Sequence, residues 1–177
     1  YRPERSVLPA AVARVEKEFG YPLVVKESYG SLGRGDYLVH DRGELLSVME
    51  QVRMKPHLFQ EFIRESAGRD LRVIVVGDEA LGGMVRISGG DFRSNLARGG
   101  RSEPYPVDEE TAALAVRIAK ILKLDYCGID FLFGKDGLTV CEVNSNAFFM
   151  GFEHTTGINV AKKYAEHILR TLDARRK

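Results

Sequence analysis

Apolar positions recur along the chain with two periods, and the switches between them predict its elements. From Leu8 to Phe19, Val12, Val15 and Phe19 fall at helical spacing and Gly20 stops the run. Leu23-Val24-Val25-Lys26 then reads as a short strand, Ser28 to Gly35 as a glycine-rich loop, and Asp36 to Val39 as the second strand of a hairpin. Asp41 with Glu44 makes a capping box for a helix to about Val52, and His57 to Phe62, with Phe59 and Phe62, reads as another strand. In the second half, Leu71 to Val76 and Ala80 to Ile87 form a hairpin pattern around Gly77-Asp78-Glu79, and Ser88 to Glu103 reads as a loop that is long for a compact domain. Asp108 caps a helix to Leu122, two strands flank Gly134-Lys135-Asp136-Gly137, and a helix from Ile158 to Leu172 closes the pattern. The order predicts an α+β fold of two lobes with mainly antiparallel sheets, residues 1–63 and 64–177, with the boundary near Arg64 to Arg69.

Composition narrows the setting. A chain of 177 residues with 44% hydrophobic content buries a real core. Its 26 Lys and Arg against 25 Asp and Glu leave no charge excess of the kind that gathers nucleic acid. Cys127 and Cys141 sit in apolar runs without zinc spacing, which reads as reduced, buried thiols in a cytoplasmic protein. No apolar stretch approaches the roughly 20 residues a membrane helix needs, and Tyr1 to Arg5 lacks a signal peptide's apolar segment. The absence of an initiator Met suggests a fragment.

Chemistry concentrates in the hairpin Gly128 to Asn144. A three-residue loop Lys135-Asp136-Gly137, with Gly137 left-handed, would set Gly134 opposite Leu138 and Asp130 opposite Glu142. Alternation then adds Asn144 to that face and turns Ile129, Phe131, Cys141 and Val143 to the core. Two opposed carboxylates repel unless a cation lies between them, and an oxygen-only set of Asp130, Glu142 and Asn144 suits Mg²⁺ or Mn²⁺ completed by nucleotide phosphates. A solvated strand face is the alternative. Lys26 ends a strand just before Gly30-x-x-Gly33-x-Gly35, a phosphate-binding arrangement that is neither the Walker loop nor the dinucleotide fingerprint; an ordinary hairpin with a surface lysine has the same residues. Gln60 and Glu61 leave a strand at the lobe boundary, and Asp70 and Arg72 share a strand face, where a surface ion pair is the plain reading.

Eight segments in order carry a resemblance: Val24-Val25-Lys26, Gly30 to Gly35, Gln60 to Ile63, Asp70-Leu71-Arg72, Gly90 to Asn95, Gly128-Ile129-Asp130, Cys141 to Asn144, and Thr155 to Asn159. From Leu8 to Leu172 the chain resembles the ATP-grasp domain of RimK-like glutamate ligases, the type that modifies ribosomal protein S6. The resemblance implies an ATP-grasp fold that holds ATP between its lobes. It implies ATP contacts from Lys26, Gly30, Ser31, Gly33, Gly35, Glu61, Phe62, Ile63, Asp70, Arg93, Ser94 and Asn95, and metal ligation by Asp130, Glu142 and Asn144. Lys26 and Arg93 would be the catalytic cations, neutralising charge as ATP phosphorylates a carboxylate and an amine, expected to be glutamate, attacks the acyl phosphate. The acceptor would be a protein, peptide or small carboxylate. Rival readings are a ligase acting on an amino-acid-biosynthesis carrier protein or small cofactor, and a nucleotide-binding module without catalysis.

Two departures stand out. Ser145-Asn146-Ala147-Phe148-Phe149-Met150-Gly151 replaces the family's small-Pro-Gly stretch, which points to a different acceptor pocket, a self-association surface that would make a homo-oligomer, or buried core. The family's N-terminal α/β domain is expected to be missing from this chain. His154 is expected to be an exposed loop histidine.

Overall fold

The computed structural model describes residues 7–29, 34–94 and 99–176. The chain divides into two compact units, Tyr1–Ile63 and Arg64–Lys177.

In the first unit, α1 (Val7–Phe19) and α2 (Arg42–Val52) accompany a sheet of β1 (Leu23–Glu27), β2 (Asp36–Val39) and β3 (His57–Glu61) in the order β2-β1-β3, all antiparallel. Val12 and Val15 of α1 and Leu45, Met49 and Val52 of α2 pack on Leu23, Val25 and Val39. Strand alternation therefore turns Lys26 to the face opposite Val25. At α2, the Asp41 side chain accepts from the Glu44 N–H at 2.9 Å while Glu44 accepts from the His40 N–H at 2.8 Å, so the capping box reaches one residue further back than its usual form.

In the second unit, β4 (Arg69–Val76), β5 (Glu79–Ile87), β6 (Arg101–Tyr105), β7 (Tyr126–Gly134) and β8 (Gly137–Asn144) form an antiparallel sheet in the order β6-β5-β4-β7-β8. One face buries Leu71, Val73, Val75, Cys127, Ile129 and Phe131 against Ala115 and Ala119 of α3 (Glu109–Ile121). On the other, Ile74, Val76 and Met84 pack with Ala147, with Phe152 of α4 (Met150–Thr156) and with Val160 of α5 (Val160–Arg175). Core on both sides explains the unbroken apolar run Val73 to Val76 of β4.

Several expectations change. Part of the long loop is β6, an edge strand on β5 with Ile87 opposite Arg101; its Pro104 and charged residues suit an edge and mask it in the sequence. The stretch expected to be loop around His154 is α4, whose Phe149 N-cap makes no side-chain cap bond and so gives no start signal. The last helix, expected from about Ile158, starts at Val160, behind an Asn159 N-cap and Gly157 at φ 73°. Cys127 is buried, whereas Cys141 is only half-buried, and the two form no disulfide.

The β7–β8 turn is also shorter than expected. Gly134 pairs with Gly137, Phe133 with Leu138 and Phe131 with Val140, so the turn holds two residues, and Gly137 has a positive φ of 126°, which favours glycine. Cys141 then bulges, and Asp130 still meets Glu142. A matching event occurs in β4–β5: Val75 pairs with Ala80 but Ile74 with Gly82, leaving Leu81 as the extra residue and bringing Asp70 opposite Arg86. Each bulge moves the following residues of its outer strand to the other face.

Candidate functional site

A row of charge lies beside the apolar cluster on the second sheet face, and the two bulges set Arg86 and Glu142 into it. Arg72 on β4 lies opposite Asp130 on β7 and donates from Nε and Nη2 to its two carboxylate oxygens, each at 2.7 Å. Arg86 on β5 donates from Nε to Asp70 Oδ1 at 2.7 Å, from Nη2 to Asp70 Oδ2, and reaches Asp130 Oδ2 at 2.9 Å. Asn144 Nδ2 lies 3.4 Å from Asp130 Oδ2. Asp130 is 5% exposed and Asp70 7%, so these are buried charges. The plain reading of Asp70 with Arg72 as a surface pair is corrected: both are inside the protein and each binds a different partner.

Burial dominates the electrostatics of Asp70 and pushes its pKa up, although Arg86 and a hydrogen bond from Ser94 pull it down. For Arg86, burial opposes the charge, and Asp130 and Asp70 more than offset it, leaving the pKa above the ordinary arginine value. Among the described residues no buried side-chain nitrogen or oxygen lacks a partner. Glu142, opposite Asp130, is exposed. In this structure Asp130 is matched by the guanidinium groups of Arg72 and Arg86.

Glycine makes the next contact possible. A Cβ on Gly128 would fall 2.6 Å from Ala147 Cβ and 3.4 Å from Arg72 Cδ and Nε, so the segment after Asn144 is seated beside Arg72. Tyr126 fixes it by donating to the Ala147 carbonyl at 2.6 Å. Within this segment Ala147 is buried, Phe149 packs edge-on to Tyr126, and Phe148 and Met150 are 76% and 80% exposed.

The remaining candidates are placed as follows. Lys26 on β1 is opposite Asp36 on one side and Leu58 on the other. Gly35, at φ 87°, accepts from the Glu27 N–H at 2.9 Å, and a Cβ there would fall 2.9 Å from Glu27 Cβ. Glu61 is exposed at the end of β3, with Phe62 and Ile63 half-buried after it. Arg93 is paired with Asp91, Nη2 to Oδ2 at 2.7 Å, and lies over the Phe92 ring. Gly30, Ser31, Gly33 and Asn95 lie outside the described residues. His154 is exposed on α4. Sequence reasoning gave Arg72 no role at Asp130 and did not single out Arg86; the signal was an arginine interrupting each of two apolar strands.

The donor set fits a hard divalent cation. Asp130 and Glu142 supply carboxylate oxygens and Asn144 supplies an amide that offers its oxygen after rotation. Magnesium would be held by these three residues and would supply charge neutralisation at phosphate oxygens.

The family model described as the RimK-like ATP-grasp domain matches residues 8–168. Beta-citrylglutamate synthase B of Danio rerio is 40% identical over 159 residues, which are 88% of this chain and 39% of that protein. A Maridesulfovibrio salexigens protein named "Probable alpha-L-glutamate ligase" is 40% identical over 152 residues, 84% of this chain and 50% of that one. The ATP-grasp ligase PsnB, solved with a minimal precursor, Mg and ADP, superposes with a TM-score of 0.71 at 27% identity, covering 92% of this chain and 50% of that one. The chain thus spans half or less of the length of these proteins.

Proposed function

The chain belongs to the RimK-like ATP-grasp family, and from that premise we propose that it carries the nucleotide- and metal-binding part of an ATP-dependent ligase that joins glutamate to a carboxylate acceptor. The observation that supports this most is the bulged β7–β8 pairing, which puts Asp130, Glu142 and Asn144 on one face although simple counting from the observed turn would part them. Relatives named for glutamate-containing products favour glutamate as the amine. The peptide-bound PsnB structure favours a protein or peptide acceptor.

In the proposed reaction an acceptor carboxylate oxygen attacks the γ-phosphorus of ATP, the bond to ADP breaks, and an acyl phosphate forms. The glutamate amine then adds to the acyl carbon, loses its proton, and expels phosphate to leave the amide. No protein nucleophile takes part, so the work of this chain is positioning and charge neutralisation. Lys26 would bind a phosphate, Gly30, Ser31, Gly33 and Gly35 would cover it with backbone N–H groups, and Glu61, Phe62 and Ile63 would border adenine. Asp70 would hold the ribose, with Ser94 and Asn95 beside the phosphates. Arg93, once released from Asp91, would neutralise the transferring phosphoryl group. Mn²⁺ would serve in place of Mg²⁺ because the ligands are oxygens. A cytoplasmic setting is supported by the use of ATP and by two cysteines without a disulfide; among the described residues no helix is long and apolar enough to cross a membrane.

Calorimetric titration with ATP, with and without Mg²⁺, tests the reading. Mg²⁺-dependent binding should be lost in Lys26→Met and weakened at least tenfold in Glu142→Gln, whose exposed carboxylate makes it the variant least able to disturb folding. Binding by Glu142→Gln that matches the parent at every Mg²⁺ concentration would refute the metal assignment.

A further inference from the structure

Asp130 has more partners than a metal ligand can keep. A carboxylate accepts at about four lone-pair positions, and Asp130 already receives Arg72 Nε and Nη2 at 2.7 Å, Arg86 Nη2 at 2.9 Å and Asn144 Nδ2 at 3.4 Å. We propose that Arg72 occupies with its guanidinium the place a divalent cation takes on Asp130, so that the cation binds by exchange, and that the released Arg72 then holds an anionic phosphate or carboxylate oxygen of the reacting group. The inference rests on the reading of Asp130, Glu142 and Asn144 as cation ligands.

Arg72 is the partner that leaves. Arg86 keeps its two bonds to Asp70 when Asp130 turns away, whereas the side-chain hydrogen bonds of Arg72 among the described residues both go to Asp130. Geometry gives Arg72 little freedom to retreat. Its Cδ and Nε lie 3.4 Å from the Cβ position of Gly128, with Ala147 on the same side, and its side chain is 11% exposed. A guanidinium that loses its carboxylate in such a place needs another anion.

Charge balance gives the same result by a different route. Asp70, Asp130 and Glu142 against Arg72 and Arg86 leave one net negative charge on this face. A divalent cation reverses that to one net positive charge, which recruits an anion to the side where Arg72 has just been freed. Metal and phosphate would therefore each increase the affinity for the other, with Arg72 as the positioning residue that links them.

Manganese binding, followed by electron paramagnetic resonance on metal-free protein without nucleotide, tests the exchange. Arg72→Gln should bind Mn²⁺ about tenfold more tightly than the parent, because the competing charge-assisted bonds are gone, while Glu142→Gln binds it more weakly. Millimolar inorganic phosphate should tighten Mn²⁺ binding in the parent several-fold, by roughly the coupling of two linked sites, and should have no such effect in Arg72→Gln. An arginine with a merely structural role predicts weaker metal binding on its removal, so equal or weaker Mn²⁺ binding by Arg72→Gln, with Glu142→Gln still impaired, overturns the exchange and leaves the metal site standing. Mn²⁺ binding indifferent to Glu142→Gln removes the premise instead. Should Arg72→Gln fail to fold, Arg72→Lys and the phosphate linkage in the parent decide, and absence of that linkage overturns the proposal.

Discussion

Replacing Arg86 by Met isolates the charge that joins the two buried carboxylates. The substitution keeps most of the side chain's length and removes the guanidinium that binds Asp70 and touches Asp130. Asp70 then retains Ser94 but no cation that matches its burial, and its side chain is 11% exposed, so solvent screening offers little relief. Breaking a buried pair by removing one partner costs about 3–5 kcal/mol, which for a chain of this size lowers the melting temperature by on the order of 10 °C. The sign of the pH dependence follows from Asp70, whose folded pKa is raised above 3.8, chiefly by burial. Between the unfolded value and that raised value the folded state holds more protons, so its contribution is present at low pH and lost as pH rises. Removing Arg86 raises the folded value further. The stability loss should therefore be clearly larger near pH 7.5 than near pH 5, measured by urea denaturation with circular dichroism in chelator-treated buffer. A loss below about 1 kcal/mol, the range of exposed pairs, or one equal at both pH values, would refute the view of this cluster as buried and mutually dependent.

Other predictions probe the support around the site. Gly128→Ala should destabilise the fold by about 1–3 kcal/mol, an overpacking cost, because its new methyl meets Ala147 Cβ at 2.6 Å; thermal melting that matches the parent would show that Ala147 can move aside. Ser66→Ala removes a buried hydroxyl that donates to the Arg69 carbonyl at 2.7 Å and accepts from the Phe133 N–H at 2.9 Å; a loss of about 1–3 kcal/mol is expected from the unsatisfied groups, and hydrogen exchange should locate it at Phe133. The Asp108 carboxylate, held below 3.8 first by the Thr111 N–H, caps α3. Its contribution is present above the unfolded pKa and lost as pH falls through the lower folded value, so Asp108→Ala should differ from the parent at neutral pH and converge with it in acid, as read by thermal melting.

The chain's own pattern was sufficient for most elements because their signals are local. Caps at Asp41 and Asp108, the stop at Gly20 and period-two apolar runs each act within a few residues, and the α+β class follows from their order. Where the sequence misled, the missing information was non-local: β6 exists because β5 offers it an edge, and α4 because Phe152 is drawn into the cluster with Ile74 and Met84, not because Phe149 caps it.

The candidate site divides in the same way. Residue types and spacing at Asp130, Glu142 and Asn144 determined that oxygen donors would meet in a hairpin, even though the expected turn was one residue too long. What tertiary structure decided was the register and the partners. The Cys141 bulge restores Asp130 to Glu142, and the Leu81 bulge sets Asp70 against Arg86, since in a period-two strand one extra residue exchanges the faces. The pairing of Asp130 with Arg72 and Arg86 joins β7 to the β4–β5 hairpin far from it in the chain. Its strength comes from burial, which exists only once the sheet and the helices beside it have formed.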